Sequence, residues 1–481
     1  MLSLLTKIDE LFEQNKELSE QNKTLLKQIS ALLARIAELE ARAGKPPKTP
    51  TNSSLPPSSG QKANVADKSG KKKCRKGRPG VARELCPDPD VTRDFFAERC
   101  DCGGKVPRTG QVLAHAYDHV EIPPIRPWTT RNNLYKGDCS CCGKTVTATP
   151  PADMPPGSPF GPGIVALVTY LHGCQMVSYA RLAEMLDSLF GLKISEGAIA
   201  NMLARAAKSF AECAEAIRET VRNSPVIASD ETSARVQGKT HWQWVFGAAT
   251  AVAHVIAPTR GKIVPKQFLN GAKPEVWLSD RLAAQCNHAD EHQVCLAHLI
   301  RDAQYAIDAG DTVFGPPFKG FLQRACEIGG RRPNLANSTM KAYARTLERE
   351  LDRLLELEPT NAEGRHLRDA IIVDARDKLL VFMRHRDVEP TNNGSEQKLR
   401  PSVIFRKVTN CFRSEWGAKL YADLCSIVST GRLHGRSPLA AIRDALTGRF
   451  KPLPPDHRGL GRQGVSNYSQ GGGNPEMGRS L

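Results

Sequence analysis

The chain has 481 residues and a formal net charge of +16, with 67 Lys and Arg against 51 Asp and Glu, and this length allows several domains. The positive excess indicates a polyanionic partner such as nucleic acid, and the alternative is a soluble protein with a basic tail. No stretch reaches about 18 uncharged apolar residues and the N-terminus lacks a signal-peptide pattern, so we expect a cytosolic protein without a membrane span. The 14 Cys are then expected to be reduced or metal-bound.

Residues 1–43 have the seven-residue repeat of a coiled coil. One apolar position is filled by Leu4, Leu11, Leu18, Leu25, Leu32 and Leu39, and the other by Ile8, Asn15, Asn22, Ile29 and Ile36. Asn in the seam fixes the register and favours a parallel pair of helices. We therefore predict a leucine zipper that joins chains into a homo-oligomer, and the alternative is one amphipathic helix packed on its own domain.

Residues 44–84 are predicted to form a disordered basic linker, because they are rich in Pro, Ser, Lys and Gly and nearly free of large apolar residues. The basic residues that would neutralise DNA phosphates are Lys71, Lys72, Lys73, Arg75, Lys76 and Arg78. A solvated linker without a specific DNA contact is the alternative.

Two cysteine pairs followed by Gly indicate a zinc-ribbon-like DNA-binding module over residues 85–150. The predicted structural Zn²⁺ ligands are Cys100, Cys102, Cys139 and Cys142, with Cys141 as an alternative ligand. The first pair has only one residue between its Cys, which leaves open a degenerate ribbon without metal. Val120–Ile122 and Leu134–Tyr135 are predicted to be short strands.

Residues 151–223 are predicted to be helical. A helix over Tyr179–Leu186, a turn at Gly191 and a second helix with Ser195 as N-cap form the outline of a helix-turn-helix. Any pair of antiparallel helices has the same outline, so both interpretations stay open.

Residues 224–310 change to strand patterns. Strands are predicted at Val226–Ala228, Trp242–Gly247, Ala251–Ile256 and Val276–Leu278, with helices near Pro265–Leu269 and after Gln293–Leu299. Three meandering strands, a helix, a strand and a helix are the order of a ribonuclease-H-like core. The ends of the first and fourth strands lie side by side in that order, which would bring Asp230 and Asp280 together.

The rest of the chain completes a multidomain α/β protein. Residues 311–388 are predicted to be an all-helical insertion, and residues 389–450 the second part of the core, with Glu396 on a helix. The Gly-, Arg- and Ser-rich tail, residues 451–481, is predicted to be disordered.

Asp230, Asp280 and Glu396 each lie in a segment that indicates more than a surface carboxylate. Three converging carboxylates would repel each other unless a cation neutralised them, and such hard oxygen ligands suit Mg²⁺ or Mn²⁺. Two ions about 3.5–4 Å apart are the usual arrangement for phosphodiester chemistry.

Other polar residues near the acids are interpreted more modestly. Glu231 follows Asp230 on a strand and is expected to point to the opposite side of the sheet. Cys295 and His298 have a spacing compatible with metal ligation, but a core or DNA-facing pair is favoured. Asn392 and Asn393 are expected either to cap the helix of Glu396 or to contact DNA.

From the zipper to about residue 447, the chain resembles the insertion-sequence-66-type DDE transposases. The segments that carry the resemblance are Asn52-Ser53-Ser54, Asp230-Glu231-Thr232, Ser279-Asp280-Arg281, the run from His292 to Asp302, and Asn392-Asn393 with Glu396, Arg400-Pro401 and Arg406-Lys407. Thr391 departs from the pattern, because many relatives have Asp before the Asn pair.

The resemblance implies a ribonuclease-H-like catalytic core and Mg²⁺-dependent cleavage and joining of transposon DNA. It assigns Asp230, Asp280 and Glu396 as the acidic triad, with Asp230 expected to contact both ions. Lys398, Arg400, Arg406 and Lys407 are expected to neutralise flanking DNA phosphates. The expected setting is the nucleoid of a prokaryotic cytoplasm, with accessory proteins as further partners.

Three alternatives stay open at this point. A DNA-binding regulator without catalysis would tolerate loss of the three acids. A nuclease with the same fold would cut DNA without joining it. An inactive relic is the third alternative, and the departure at Thr391 leaves it open.

Overall fold

The computed structural model describes residues 2–43, 46–53, 83–151, 154, 157 and 159–455. These residues form a mixed α/β structure with one larger mixed sheet, and the chain divides into two compact units. The larger unit comprises Met1–Gln61, Leu134–Leu182 and Ser195–Leu481, and the smaller comprises Lys62–Asn133 and Ala183–Ile194. None of the helices in the described ranges is long and apolar enough to span a bilayer.

The first helix, α1, covers Leu2–Ala43, as the heptad repeat predicts. Among its described side chains, the seam residues Leu18, Leu25, Ile29 and Leu32 are more than half exposed in the single chain. An exposed apolar stripe of this kind is typical of a helix that pairs with a second helix. Pairing itself stays a prediction.

The predicted cysteine module has little regular structure. Between residues 83 and 133, all described, the chain makes turns and an isolated bridge between Arg99 and Lys105. The strand expected at Val120–Ile122 was wrong, because this segment has no pairing partner. A short antiparallel hairpin follows instead, with β1 at Lys136–Asp138 and β2 at Thr145–Thr147, so that Leu134–Tyr135 precede the first strand rather than form it.

Three helices precede the larger sheet, as the sequence predicts. They are α2, Pro162–Thr169, which continues as a π-helical turn; α3, Tyr179–Phe190; and α4, Glu196–Arg222. Ser195 caps α4 by accepting a hydrogen bond from the Ala198 N–H at 3.2 Å. The helix-turn-helix interpretation stays a prediction.

The larger sheet has five strands in the order β5-β4-β3-β6-β7. Its strands are β3, Val226–Val236; β4, Lys239–Gly247; β5, Val252–Ala257; β6, Val276–Ser279; and β7, Glu291–Val294. The first three form an antiparallel meander, whereas β6 and β7 run parallel to β3. Helix α5, Ile263–Leu269, connects β5 to β6. Only β7 was not predicted.

A helical insertion follows α6, Leu296–Asp308. Its α-helices are α7, Gly315–Arg331; α8, Asn337–Leu355; and α9, Ala362–Ala370. A core rich in Phe, including Phe314, Phe318 and Phe382, packs this insertion against α6 and the β6–β7 side of the sheet. Burial of these rings holds the two parts as one body.

Three helices complete the described chain. They are α10, Asn393–Thr409; α11, Glu415–Leu433; and α12, Pro438–Leu446. Leu399 of α10 packs on Val245 and Val252, which lie on the sheet face that also carries Asp230. Hydroxyl groups of Ser426 and Thr430 on α11 accept hydrogen bonds from N–H groups of β5, which satisfies the edge of the sheet.

The segment 46–53 packs against α6. Asn52 is 4% exposed, and its amide nitrogen donates to Asp308 at 2.9 Å and to the Pro47 carbonyl at 3.2 Å. The Lys48 ammonium lies over the Tyr305 ring. This part of the predicted linker is therefore bound to the core, whereas residues 54–82 lie outside the described residues.

Candidate active site

Asp230 and Asp280 lie next to each other at one end of the parallel strand pair. The register pairs Val226 with Val276 and Ala228 with Leu278, a constant offset of fifty positions. Asp230 lies within β3, two residues after Ala228. Asp280 lies two residues after Leu278, directly after the end of β6, so the same offset of fifty positions relates the two acids. Because side chains alternate along a strand, both carboxylates belong to one face of the sheet.

Glu396 reaches the same place from α10. The pKa of Asp230 is raised to about 8, first because its carboxylate is buried and then because Glu231, Asp280 and Glu396 are negatively charged nearby. The structure therefore brings together the three acids that the sequence singled out. Asp280 is oriented by its own turn, in which its Oδ1 accepts the Leu282 N–H at 3.0 Å.

Two side chains of α6 face Glu396. His298 Nε2 lies 4.0 Å and the Arg301 guanidinium 3.8 Å from Glu396 Oε1. The pKa of His298 is lowered, mainly by burial and by Arg301, against the opposing effect of Glu396 and Asp280. Sequence reasoning did not assign Arg301, and its only signal was the three-residue spacing from His298, which puts both on one helix face.

Asn392 connects the start of α10 to the sheet and to α6. Its side-chain amide donates to the Ser229 carbonyl at 2.7 Å, and its backbone N–H donates to Cys295 Sγ at 3.1 Å. Asn392 makes no side-chain cap of α10, so the expected capping role is replaced by this cross-link. Cys295 is fully buried and acts here as a core residue.

Glu231 lies on the opposite face of the sheet, as predicted. Its carboxylate accepts hydrogen bonds from Arg260 at 2.6 Å and 2.9 Å and from Gln285 at 2.6 Å. Gln285 in turn accepts from the Trp277 indole at 3.2 Å. Burial and then the charge of Asp280 raise the pKa of Glu231, while Arg260 and Gln285 oppose that rise. This acid is part of a packed network rather than of the three-carboxylate cluster.

The donor chemistry of the cluster fits Mg²⁺ or Mn²⁺. Among the described residues, no group of three or more His, Cys, Asp or Glu side chains has an arrangement that could hold a metal ion. The three acids nevertheless offer hard oxygen ligands. The pKa of Asp230 is raised first by burial and then by Glu231, and Asp280 and Glu396 add smaller contributions that a bound cation would offset.

The two cysteine pairs form similar turns, each described here by itself. In the first, Gly103 N–H donates to the Cys100 carbonyl, and hydrogen bonds from Cys102 lower the pKa of the Cys100 thiol. In the second, Gly143 N–H donates to the Cys139 carbonyl, and backbone N–H groups lower the pKa of Cys139. Lowered thiol pKa values favour the thiolate, yet the predicted Zn²⁺ site has no support from a formed ligand group among the described residues.

The basic residues expected to bind DNA have different surroundings. Lys71, Lys72, Lys73, Arg75, Lys76 and Arg78 lie outside the described residues. Arg400 and Lys407 are exposed on α10. Arg406 donates to Ser233 Oγ at 2.6 Å and is thereby held on β3. Lys398 is half-buried, and burial lowers the pKa of its ammonium to about 8, so it is not the freely solvated cation that the sequence indicates.

Comparison with known proteins places this site in a class. A family model described as the transposase IS66 family matches residues 157–420, more than half of the 481 residues. The chain belongs to this family, which makes it a DNA-processing protein of the transposase class. The match includes Asp230, Asp280 and Glu396 as well as the helical insertion between them. No curated protein matches the chain in sequence.

Proposed function

We propose that this protein cleaves DNA at transposon ends and joins the released strand to target DNA in a reaction that needs divalent metal. The observation that carries the proposal is the strand register, which places Asp230 beside Asp280 at one end of the parallel pair. Glu396 on α10 is near enough to both for its charge to contribute, with that of Asp280, to the raised pKa of Asp230. Convergence of acids from β3, β6 and α10 is what a two-ion phosphodiester site requires.

The strand order supports a ribonuclease-H-like core. An antiparallel meander followed by two parallel strands gives the order β5-β4-β3-β6-β7. In this topology the helical insertion lies between the second and third acids in the chain, and it packs against α6, the helix whose side chains face Glu396.

Asp230, Asp280 and Glu396 would hold the ions, with Asp230 between the other two. When bound, the ions supply activation of the attacking oxygen and stabilisation of the leaving oxygen. His298 and Arg301 keep the Glu396 carboxylate directed toward the two aspartates. Asn392 fixes the first turn of α10 to β3, so that Glu396 is held rigidly.

DNA binding would combine several basic segments. Arg400 and Lys407 are exposed on α10, the helix that carries Glu396, and the basic residues between 71 and 78 would add further contacts to DNA phosphates. Pairing through α1 would join two chains, because its apolar stripe is exposed in one chain. The zinc-ribbon-like module would contribute further DNA contacts.

An end-cleavage assay with Mg²⁺ and duplexes carrying the transposon ends tests the proposal. We expect Asp230→Asn, Asp280→Asn and Glu396→Gln to lose cleavage and joining while retaining DNA binding, whereas Glu231→Gln retains measurable cleavage. Cleavage at the wild-type rate by any of the three variants would remove that residue from the active site.

The same assay distinguishes the other activities. Cleaved ends without joined product indicate a nuclease, and DNA binding without either product indicates a regulator. Calorimetric titration with Mn²⁺ gives an independent readout, since each of the three variants should bind the ion more weakly than the wild-type protein.

A further inference from the structure

A pocket of about 360 Å³ lies beside the three acids but does not include them. Its floor contains Val226, Ala228 and Leu278, which are on the same sheet face as Asp230. Its wall is the first turn of α10, and the far side comes from the end of α7 and the residues just before α10. The pocket and the acids are therefore neighbouring sites on opposite sides of the same helix start.

The first turn of α10 supplies unused hydrogen-bond donors to this pocket. Ser395 lines the pocket and is 0% exposed, and its hydroxyl has no hydrogen-bond partner among the described residues. The helix start has no side-chain cap either, and the backbone N–H of Ser395 donates to the Asn392 carbonyl at 3.1 Å. The backbone N–H of Gly394, which also lines the pocket, remains as a donor in the first turn. A buried hydroxyl left unpaired loses free energy, which indicates that a ligand completes the site.

Lys398 adds a full positive charge one turn further along α10. It lines the pocket, and no carboxylate of the described residues forms an ion pair with it. Gly247 makes room for the ammonium, since a Cβ there would meet Lys398 Nζ at 2.7 Å. A positively charged group next to a helix N-terminus and a free hydroxyl is a combination that suits a phosphate.

The acidic residues around the pocket do not cancel this preference. Glu389 is paired with Arg332 at 3.4 Å, and Asp387 is exposed to solvent. Arg386, which also lines the pocket, is held by the backbone carbonyls of Arg332 and Leu335. The enclosed positive charges are thus those of Lys398 and of Arg332, which is paired with Glu389, whereas Asp387 is solvated.

We propose that this pocket binds a phosphate group, held by Ser395, Lys398 and the first turn of α10. The inference rests on the proposed function in one respect: we assign the phosphate to a DNA strand that continues from the acids into the pocket. A single buried phosphate would fix the strand relative to the acids without reading the base.

The test measures binding without catalysis, using the full chain in buffer with EDTA. The probes are inorganic phosphate, followed by calorimetry, and a fluorescent DNA duplex, followed by anisotropy over a range of salt concentrations. The variants are Lys398→Met, Ser395→Ala and Gly247→Ala, which remove the charge, the hydroxyl and the space for the ammonium. Lys208→Met, an exposed lysine on α4, is the matched control for loss of one charge.

We expect each pocket variant to weaken DNA binding at least about threefold. Lys398→Met should also reduce the slope of log affinity against log salt by about 1, because one phosphate contact is lost. Ser395→Ala should leave that slope unchanged, because its hydroxyl is neutral. Binding of inorganic phosphate that is lost in the same variants supports the pocket further.

Two outcomes would overturn the assignment. Unchanged binding of both probes in all three variants, with unfolding temperatures like that of the wild type, means that the pocket holds no phosphate. Loss of inorganic phosphate binding with unchanged DNA binding means that its ligand is a free phosphate compound and not the strand. Because EDTA excludes the catalytic ions, failure of cleavage and failure of this site give different results.

Discussion

Asp230 and Glu231 are adjacent in the chain, yet they lie on two faces of one sheet with opposite chemistry. Glu231 enters a packed aromatic face, where Arg260 and Gln285 satisfy its carboxylate. Asp230 is buried on the other face, where Asp280 and Glu396 are charged neighbours of the same sign. One face thus pairs its buried carboxylate with Arg260, whereas no ion pair of the described residues compensates the carboxylate on the other face.

The aromatic face explains how such a site stays folded. Phe246 stacks on Phe268 with ring centroids 3.8 Å apart and packs edge-on against Trp277 at 6.1 Å. These buried rings contribute stability that does not depend on the acidic face. The sheet can therefore carry an unfavourable charge cluster on one side because the other side is well packed.

The largest effect is expected from Asp230→Asn. Cleavage should fall to background. The unfolding temperature in metal-free buffer should stay unchanged or rise, because a neutral amide of the same shape replaces a carboxyl whose ionised form is disfavoured by burial and by neighbouring acids. Activity and thermal unfolding measured on the same preparation check this prediction. A large loss of stability would mean that the Asp230 carboxylate stabilises the fold, and would contradict the proposed difference between the two faces of the sheet.

The opposite result is expected on the aromatic face. Trp277→Ala should lower the free energy of unfolding by about 3–5 kcal/mol, since it removes a fully buried ring and leaves a cavity. Urea unfolding measures this loss. Val112→Ala, at an exposed position, is the control and should change stability by less than about 0.5 kcal/mol.

A smaller effect is expected for Glu231→Gln, which keeps the shape of the side chain but removes its charge. Loss of the Arg260 pair should lower the free energy of unfolding by about 1–3 kcal/mol. Arg260→Gln is the reciprocal variant and should lower it by less, because Arg260 is nearly half exposed. If both variants lose the same free energy of unfolding, the ion pair between Glu231 and Arg260, and not the burial of the Glu231 carboxylate, determines the loss.

The last prediction concerns pH, and its effect is small near neutral pH. His254 is buried on the acidic face beside Gln243 and Ser429, and burial, with a contribution from Lys398, lowers its pKa to about 3. Its folded pKa lies below the ordinary value of 6.5, so the unfolded chain binds the proton first and stability falls as pH decreases from 6.5 toward 3. The decrease is about 1.4 kcal/mol per pH unit for this group.

Unfolding of His254→Gln compared with the wild type at pH 7, 6 and 5 isolates this contribution. The free energy of unfolding of the variant should fall less steeply as pH decreases, because its unfolding takes up about one proton fewer per molecule. Parallel pH profiles for the two proteins would show that His254 is protonated in the folded state as readily as in the unfolded one.

Much of this arrangement was predictable from sequence, because it depends on local patterns. Alternating apolar runs predicted β3 to β6, and their order predicted that Asp230 and Asp280 are neighbours. The sequence also predicted the helix that begins after Ser195 and the capping role of this residue. Periodicity and capping act within a few residues, so one sequence carries the information.

The remainder depended on contacts between distant elements. Strand β7 has the mixed sequence Glu291–Val294 and pairs only because β6 offers it an edge. The approach of Arg301 to Glu396 requires α6 and α10 to pack side by side. Lys398 was interpreted as a surface cation, since nothing local shows that Gly247 leaves a space for its ammonium.

The contact between Asn52 and Asp308 sets the reach of the long N-terminal helix. Two residues separate Ala43 from Pro46, and the three Cα–Cα steps between them allow at most about 11 Å of extended chain before the segment that packs on α6. In two chains joined along α1, only this short connection would separate the paired helices from the rest of each chain. The effective concentration of one chain's DNA-binding surface relative to the other's would then be in the millimolar range. Capture of one DNA end would then make capture of the second nearly an intramolecular event.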